Sequence, residues 1–201
     1  MKRQLKVTCC IAGITTLFCI VGFLPRNGNQ ANKSQSDNLY SSNMQEPRIT
    51  IEEKPISKQT IVYVTDSAAS IAAISQKFMQ IIPVELGGFF KKNDLKMAGA
   101  PCAWYNGNKA PFVFDIGVPA NKAPAGTEGR IKIKEIAAGK AVVAHFYGPY
   151  NLTEKGYIAV EAWLKEHNKT ATGAPYEVYL GDPGIEKDPY KILTDIVFPV
   201  E

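Results

Sequence analysis

The chain has 201 residues, 45% hydrophobic and 21% charged, with a formal net charge of +4. This is ordinary globular usage, and it excludes wholesale disorder, a collagen-like repeat and a polytopic membrane protein. Residues 1–33 hold Lys2, Arg3, Lys6, Arg26 and Lys33 and no acid, leaving 18 basic against 19 acidic residues, so the remainder has no cationic surplus for nucleic acid.

From Val7 to Leu24 the chain reads VTCCIAGITTLFCIVGFL, 18 residues without a charge. As a helix this run is roughly 27 Å long, enough for a bilayer core. The basic Met1–Lys6 flank fits the cytoplasmic side of a signal anchor. A cleaved signal peptide would need a small-x-small site where the chain has Phe23-Leu24-Pro25-Arg26. One uncleaved span at 1–24 is therefore expected, with the following domain on the extracytoplasmic side. Residues 25–46 are rich in Asn, Ser and Gln and read as a disordered tether. Anchor and tether leave no room ahead of residue 47 for a helix-turn-helix, so no DNA-binding domain is expected. Cys9, Cys10 and Cys19 lie in the apolar run, leaving Cys102 without an internal disulfide partner or metal-type spacing. No metal or cofactor is expected.

The remainder, 47–201, contains a repeat. RITIEEKPISKQTIVYVTDS at 48–67 lies over RIKIKEIAAGKAVVAHFYGP at 130–149 at an offset of 82. Gly99-Ala100-Pro101 matches Gly173-Ala174-Pro175, and Asp115-Ile116-x-x-Pro119 matches Asp195-Ile196-x-x-Pro199. Repeat one spans 48–120 and repeat two 130–201. Each has a β-branched run, at 60–65 and 141–147. A helical stretch follows, carrying Ile71, Ile74, Phe78 and Ile81 in one copy and Tyr157, Val160, Trp163 and Leu164 in the other. Two extended runs close each copy, at 101–105 with 111–118 and at 175–180 with 193–200. The unit reads as strand, helix, strand, strand, and two of them predict an α+β fold with helices on one face of an antiparallel sheet and the other face open.

The segments HFYGPY (145–150), YIAVEAWLKEH (157–167), GAPYEVYLGDP (173–183) and ILTDIVFPV (192–200) resemble the GyrI-like small-molecule-binding family, which includes effector-binding domains of AraC- and MerR-type regulators. The likeness extends over about residues 48–201. It implies the doubled fold, a groove between the copies on the sheet face away from the helices, and a ligand that is amphipathic or cationic. It also implies that a glutamate in the strand at 175–180 meets the ligand's charge.

Glu177 fills that place. The pleat sends Glu177 and Tyr179 to one face of their strand, read as the open one, and Tyr176, Val178 and Leu180 to the other. Val143, His145 and Tyr147 share a face of the strand at 141–147. Trp104 and Tyr105 lie in the equivalent strand of repeat one, where Tyr105 matches Tyr179 and Ala103 matches Glu177, so the acid occurs in one copy alone. The candidate ligand-binding residues are Glu177, Tyr179, Tyr147, Tyr105, His145 and Trp104. Aromatic rings around a partly desolvated carboxylate suit an organic cation. Strict alternation turns Trp104 away from Tyr105, toward core packing, and His145 reads equally as a hydrogen-bonded sheet histidine. The expected function is a membrane-tethered, non-catalytic binding module for a small organic molecule. The alternative is a hydrolase of strained or electrophilic small molecules with Glu177 as general base and Tyr147 or Tyr179 polarising the substrate. No protein partner is legible.

Overall fold

The computed structural model describes residues 45–201; the expected anchor at 1–24 and nearly all of the tether at 25–46 lie outside the described residues. Among the described residues no helix is long and apolar enough to cross a membrane. The elements are β1 (Arg48–Ile56), β2 (Gln59–Ala68), α1 (Ile71–Gln80), a π-helical turn (Ile81–Leu86), α2 (Gly87–Lys92), β3 (Cys102–Tyr105), β4 (Phe112–Ala120), β5 (Ile131–Ile136), β6 (Gly139–Tyr147), α3 (Glu154–Glu166), β7 (Tyr176–Tyr179) and β8 (Leu193–Val200).

All eight strands form one antiparallel sheet in the order β1-β6-β8-β7-β3-β4-β2-β5. Exchanging β1 with β5, β2 with β6, β3 with β7 and β4 with β8 returns the same order reversed, so the two repeats are related by a topological two-fold between β3 and β7. Each repeat is strand, strand, helix, strand, strand. β1 and β5 are strands of their own beyond the expected unit, hidden in the sequence because charges interrupt their apolar alternation. These two strands are also exchanged: β1 pairs with β6 of the second repeat and β5 with β2 of the first.

Strand register corrects the offset of 82. Thr65 faces Asp115 as His145 faces Asp195, which superposes β2 on β6 at 80 residues (195 − 115). At that offset Lys54 corresponds to Lys134, and each repeat places this lysine beside the other repeat's aspartate, Lys54 at 3.9 Å from Asp195 and Lys134 at 2.8 Å from Asp115. A side-chain period of two makes a slip of two residues invisible to apolar matching.

Both helical segments pack on the same face. Ser70 caps α1 by accepting from the Ala73 N–H at 3.2 Å, and Ile74 and Phe78 turn toward Val62, Val64, Phe114 and Ile116. Pro83 has no N–H to give an α-helical ladder, and Gly87 N–H reaches back to Ile82 O, which explains the π-helical turn before α2. α3 sets Val160 and Leu164 against Val142, Phe146, Ile196 and Phe198. Gly156 lets it approach closely: a Cβ there would lie 2.3 Å from Ile196 Cδ1.

The face away from the helices is not open. β1 and β2 are joined by residues 57–58 alone, yet stand six strand positions apart. Six spacings in a flat sheet make about 29 Å, whereas two residues reach about 10 Å. The sheet therefore curls on itself, and Ile61, Cys102, Ile136, Ala141, Val143, Tyr176 and Val197 bury one another on the inner face. The protein's own side chains fill the middle of the expected groove, and a depression of about 340 Å³ lined by Trp104 and Tyr176 remains on that face.

Candidate functional site

Glu177 lies in the middle of the sheet on β7, opposite Ala103 of β3. Its side chain is on the helix-bearing face, the reverse of the orientation read from the sequence. The alternation itself holds: Tyr176 and Val178 lie with the inner-face cluster, while Tyr179 packs with the helix-side core. The face was misassigned because both sides of β7 are covered, so the apolar residues did not mark the helix side.

Glu177 is 4% exposed. Tyr179 donates to its Oε2 at 2.9 Å, and Tyr157, from the first turns of α3, donates to its Oε1 at 3.2 Å. Tyr105 and Tyr179, equivalent residues across the two-fold, meet hydroxyl to hydroxyl at 2.9 Å. Edge-on rings close the enclosure: Phe78 of α1 at 5.5 Å and Tyr150 at 5.8 Å from the Tyr179 ring centroid. The acid is thus held between α1 and α3 with the sheet as floor.

Burial drives the Glu177 pKa up, against hydrogen bonds from Tyr179, Tyr157 and Thr153, to about 7. No Lys, Arg or His among the described residues forms an ion pair with it. The same burial, reinforced by the charge of Glu177, holds the Tyr105, Tyr157 and Tyr179 hydroxyls above their ordinary range, so they remain protonated donors. Chemically, the arrangement is a desolvated carboxyl that can be charged near neutral pH, ringed by phenols and lacking a counter-charge.

Of the six residues singled out in the sequence, Glu177, Tyr179 and Tyr105 come together. The other three lie on the opposite face and are not part of this enclosure. Trp104 stacks on Tyr176 with centroids 5.0 Å apart, and Lys134 Nζ stands 3.7 Å over its ring. His145 bridges Asp195 at 2.6 Å and Glu52 at 3.2 Å. Tyr147 lies beneath the Arg48 guanidinium, 3.9 Å away. Sequence reasoning missed Tyr150, Phe78 and Tyr157; the last two were visible as helix core positions, with nothing to show that the core contained an acid. Two surface depressions of about 440 and 340 Å³ lie by residues 57–60 and 137–140; neither is lined by Glu177, and the second is lined by Trp104 and Tyr176.

The GyrI-like small molecule binding domain matches residues 86–201. No curated protein matches the chain. Among solved structures, the EcmrR C-terminal domain is 20% identical with a TM-score of 0.65, the alignment covering 78% of this chain and 99% of that one. In the EcmrR–DNA complex the chain spans only 57% of the EcmrR chain, at 20% identity, a TM-score of 0.63 and 77% coverage of this chain. A hydrolase from Listeria innocua is 11% identical with a TM-score of 0.53, covering 82% of this chain and 96% of that one. SAV2435 bound to tetraphenylphosphonium is 13% identical with a TM-score of 0.50, covering 76% and 94%. At these low identities the structural likeness shows a shared fold alone.

Proposed function

The chain belongs to the GyrI-like small-molecule-binding family, and from that premise we propose that it is a non-catalytic receptor for amphipathic organic cations, taken up at Glu177. The observation that carries the reading is a buried carboxyl near neutrality with no cationic partner among the described residues and with aromatic rings on either side. A cation with apolar substituents supplies the missing counter-charge and replaces the rings' mutual contacts with its own. Tetraphenylphosphonium, the molecule bound to SAV2435, has this chemistry. Access requires Phe78 or Tyr150 to move. Phe78 is carried by α1, in which Ile74 is the one buried residue, so α1 is the lightly held wall.

The test is calorimetric titration of the full chain with tetraphenylphosphonium and with protonated bis(2-phenylethyl)amine. Binding should weaken roughly 10- to 100-fold in Glu177→Gln, the worth of a contact to a charged group. Tetraphenylphosphonium keeps its charge at every pH, so its affinity should fall below about pH 7, by up to tenfold per unit. Failure of both cations to bind, or unchanged affinity in Glu177→Gln, refutes the reading.

We also propose that residues 7–24 tether the domain to a membrane, with the domain on the extracytoplasmic side. The support is the uncharged run and its basic flank. Recovery of the full chain in the soluble fraction after alkaline washing of membranes would refute the tether.

A second reading, hydrolysis, is favoured by the same carboxyl, since about 7 is where a general base works well. In it Glu177 takes a proton from water while Tyr179 or Tyr157 donates to the substrate oxygen. Cys102 offers no nucleophile, since it is buried on the other face with its thiol pushed up to about 12. Turnover of an electrophilic substrate, abolished in Glu177→Gln, would decide for hydrolysis.

A further inference from the structure

The hydrogen-bond supply around Glu177 narrows the ligand further. An ionised carboxylate only accepts. Tyr179 therefore gives its single hydroxyl proton to Oε2 and Tyr157 gives its own to Oε1. Since the Tyr179 proton is engaged, the contact between the Tyr105 and Tyr179 hydroxyls must be donated by Tyr105. All three phenolic protons point inward along this chain and Thr153 adds a further hydrogen bond to the carboxylate, while lone pairs remain on the Tyr105 and Tyr157 oxygens and one on the carboxylate. The enclosure holds surplus acceptors.

A second observation points the same way. Thr194 of β8 lies directly across from Tyr179 of β7, with Ile196 across from Glu177. Thr194 is fully buried, and its Oγ1 makes no hydrogen bond. Among the described residues it is the one buried side-chain polar atom without a partner. An unpaired buried hydroxyl is costly, and a hydroxyl can turn to accept as well as to donate. Its register position places it on the same sheet face as Glu177, beside the tyrosine that bonds that carboxyl.

We propose that the ligand is a protonated amine, a cation carrying at least one N–H between apolar groups, with its N–H received by Glu177 and the Thr194 hydroxyl completing the polar shell. This rests on the reading of Glu177 as the cation site. A quaternary ammonium or phosphonium ion satisfies the Coulomb attraction but has no hydrogen to give, and it leaves buried acceptors unpaired. An N–H cation satisfies both. The site thus selects by hydrogen-bond donation within the class of organic cations.

The experiment titrates the full chain at about pH 8 with bis(2-phenylethyl)ammonium and with its N,N-dimethyl quaternary salt, two probes of the same aromatic body and charge. The N–H probe is expected to bind roughly 10- to 100-fold more tightly, the worth of one hydrogen bond to a charged group. Thr194→Val keeps the side-chain shape and removes the hydroxyl. It should cost the N–H probe roughly threefold to tenfold and leave the quaternary probe unchanged. Equal affinities in the natural protein, or equal losses for both probes in Thr194→Val, overturn the proposal while leaving Glu177 as a cation site. Failure of both probes to bind overturns that reading as well. The comparison of probes needs no variant, so it stands even if Thr194→Val folds poorly.

Discussion

A carboxyl buried among phenols makes the folded protein a stronger base than the unfolded chain. Glu177 titrates at about 7 when folded against 4.5 for an exposed side chain. Between those values the folded state keeps a proton that the unfolded state has released, so this group's contribution to stability falls as pH rises from about 4.5 to about 7 and is level above that. The full span amounts to roughly 3 kcal/mol. Glu177→Gln, whose Oε1 accepts from one tyrosine while its amide N–H donates to the other hydroxyl, has no charge to bury and should therefore be more stable than the natural protein at pH 8. The gain should approach roughly 3 kcal/mol and shrink toward zero near pH 4.5. Denaturant unfolding at the two pH values checks it; a variant less stable at pH 8 would show that Glu177 is not desolvated in solution. The sequence singled out this residue through the resemblance to the GyrI-like family, and Tyr179 through the pleat that sets it on the same face. It did not reveal the side on which they lie: Tyr176 and Val178 resemble core residues, and they are, but of the second core inside the curled sheet.

The wall of the site is the segment from α1 through α2, pinned to the sheet by an ion cluster at one end. Arg130, just before β5, holds Glu85 of the π-helical turn by two bonds at 2.8 and 2.6 Å. It also reaches Asp66 of β2 at 2.8 Å, and Asp66 in turn holds Lys77 of α1 at 2.5 Å. Burial works to raise the Asp66 pKa, but the hydrogen bonds from Lys77 and Arg130 prevail and hold it down at about 2. Arg130→Ala should release this segment: amide exchange across residues 71–92 should speed up several-fold, while α3, which makes no contact with Arg130, keeps its protection. Uniform acceleration through the domain would instead mean global destabilisation. The helical spacing of Ile71, Ile74, Phe78 and Ile81 made α1 legible. The continuation past Pro83 was not, because proline ordinarily ends a helix and here only changes its pitch. β1 and β5 were hidden for another reason: they stand at the two edges of the sheet, where Glu and Lys are tolerated and even protective.

Exchange of β1 and β5 ties the halves into one cooperative body. Neither repeat owns all the strands of its half-sheet, and Ile56, Ile61, Ile136 and Ala141 from both repeats share the inner cluster. Unfolding should then be a single transition. Trp104 reports from the first repeat and Trp163, stacked on His167 at 3.8 Å, from the second. Trp163→Phe and Trp104→Phe leave one reporter each. In each variant the fluorescence and circular-dichroism transitions should coincide; a fluorescence midpoint displaced from the circular-dichroism midpoint would mean separable halves. The repeat itself was legible from short identical strings. The exchange was not, since pairing partners leave no mark on either strand's own sequence, and the two-residue connectors at 57–58 and 137–138 suggest simple hairpins. The placing of Glu177 opposite Ala103 has one more effect. The framework is ambidextrous about its axis, and its occupant cannot be. In the proposed receptor a guest would find an acid on the left hand and a bare methyl on the right, so it should settle in one orientation, and a second cationic head on the same guest would meet no second carboxylate at Ala103.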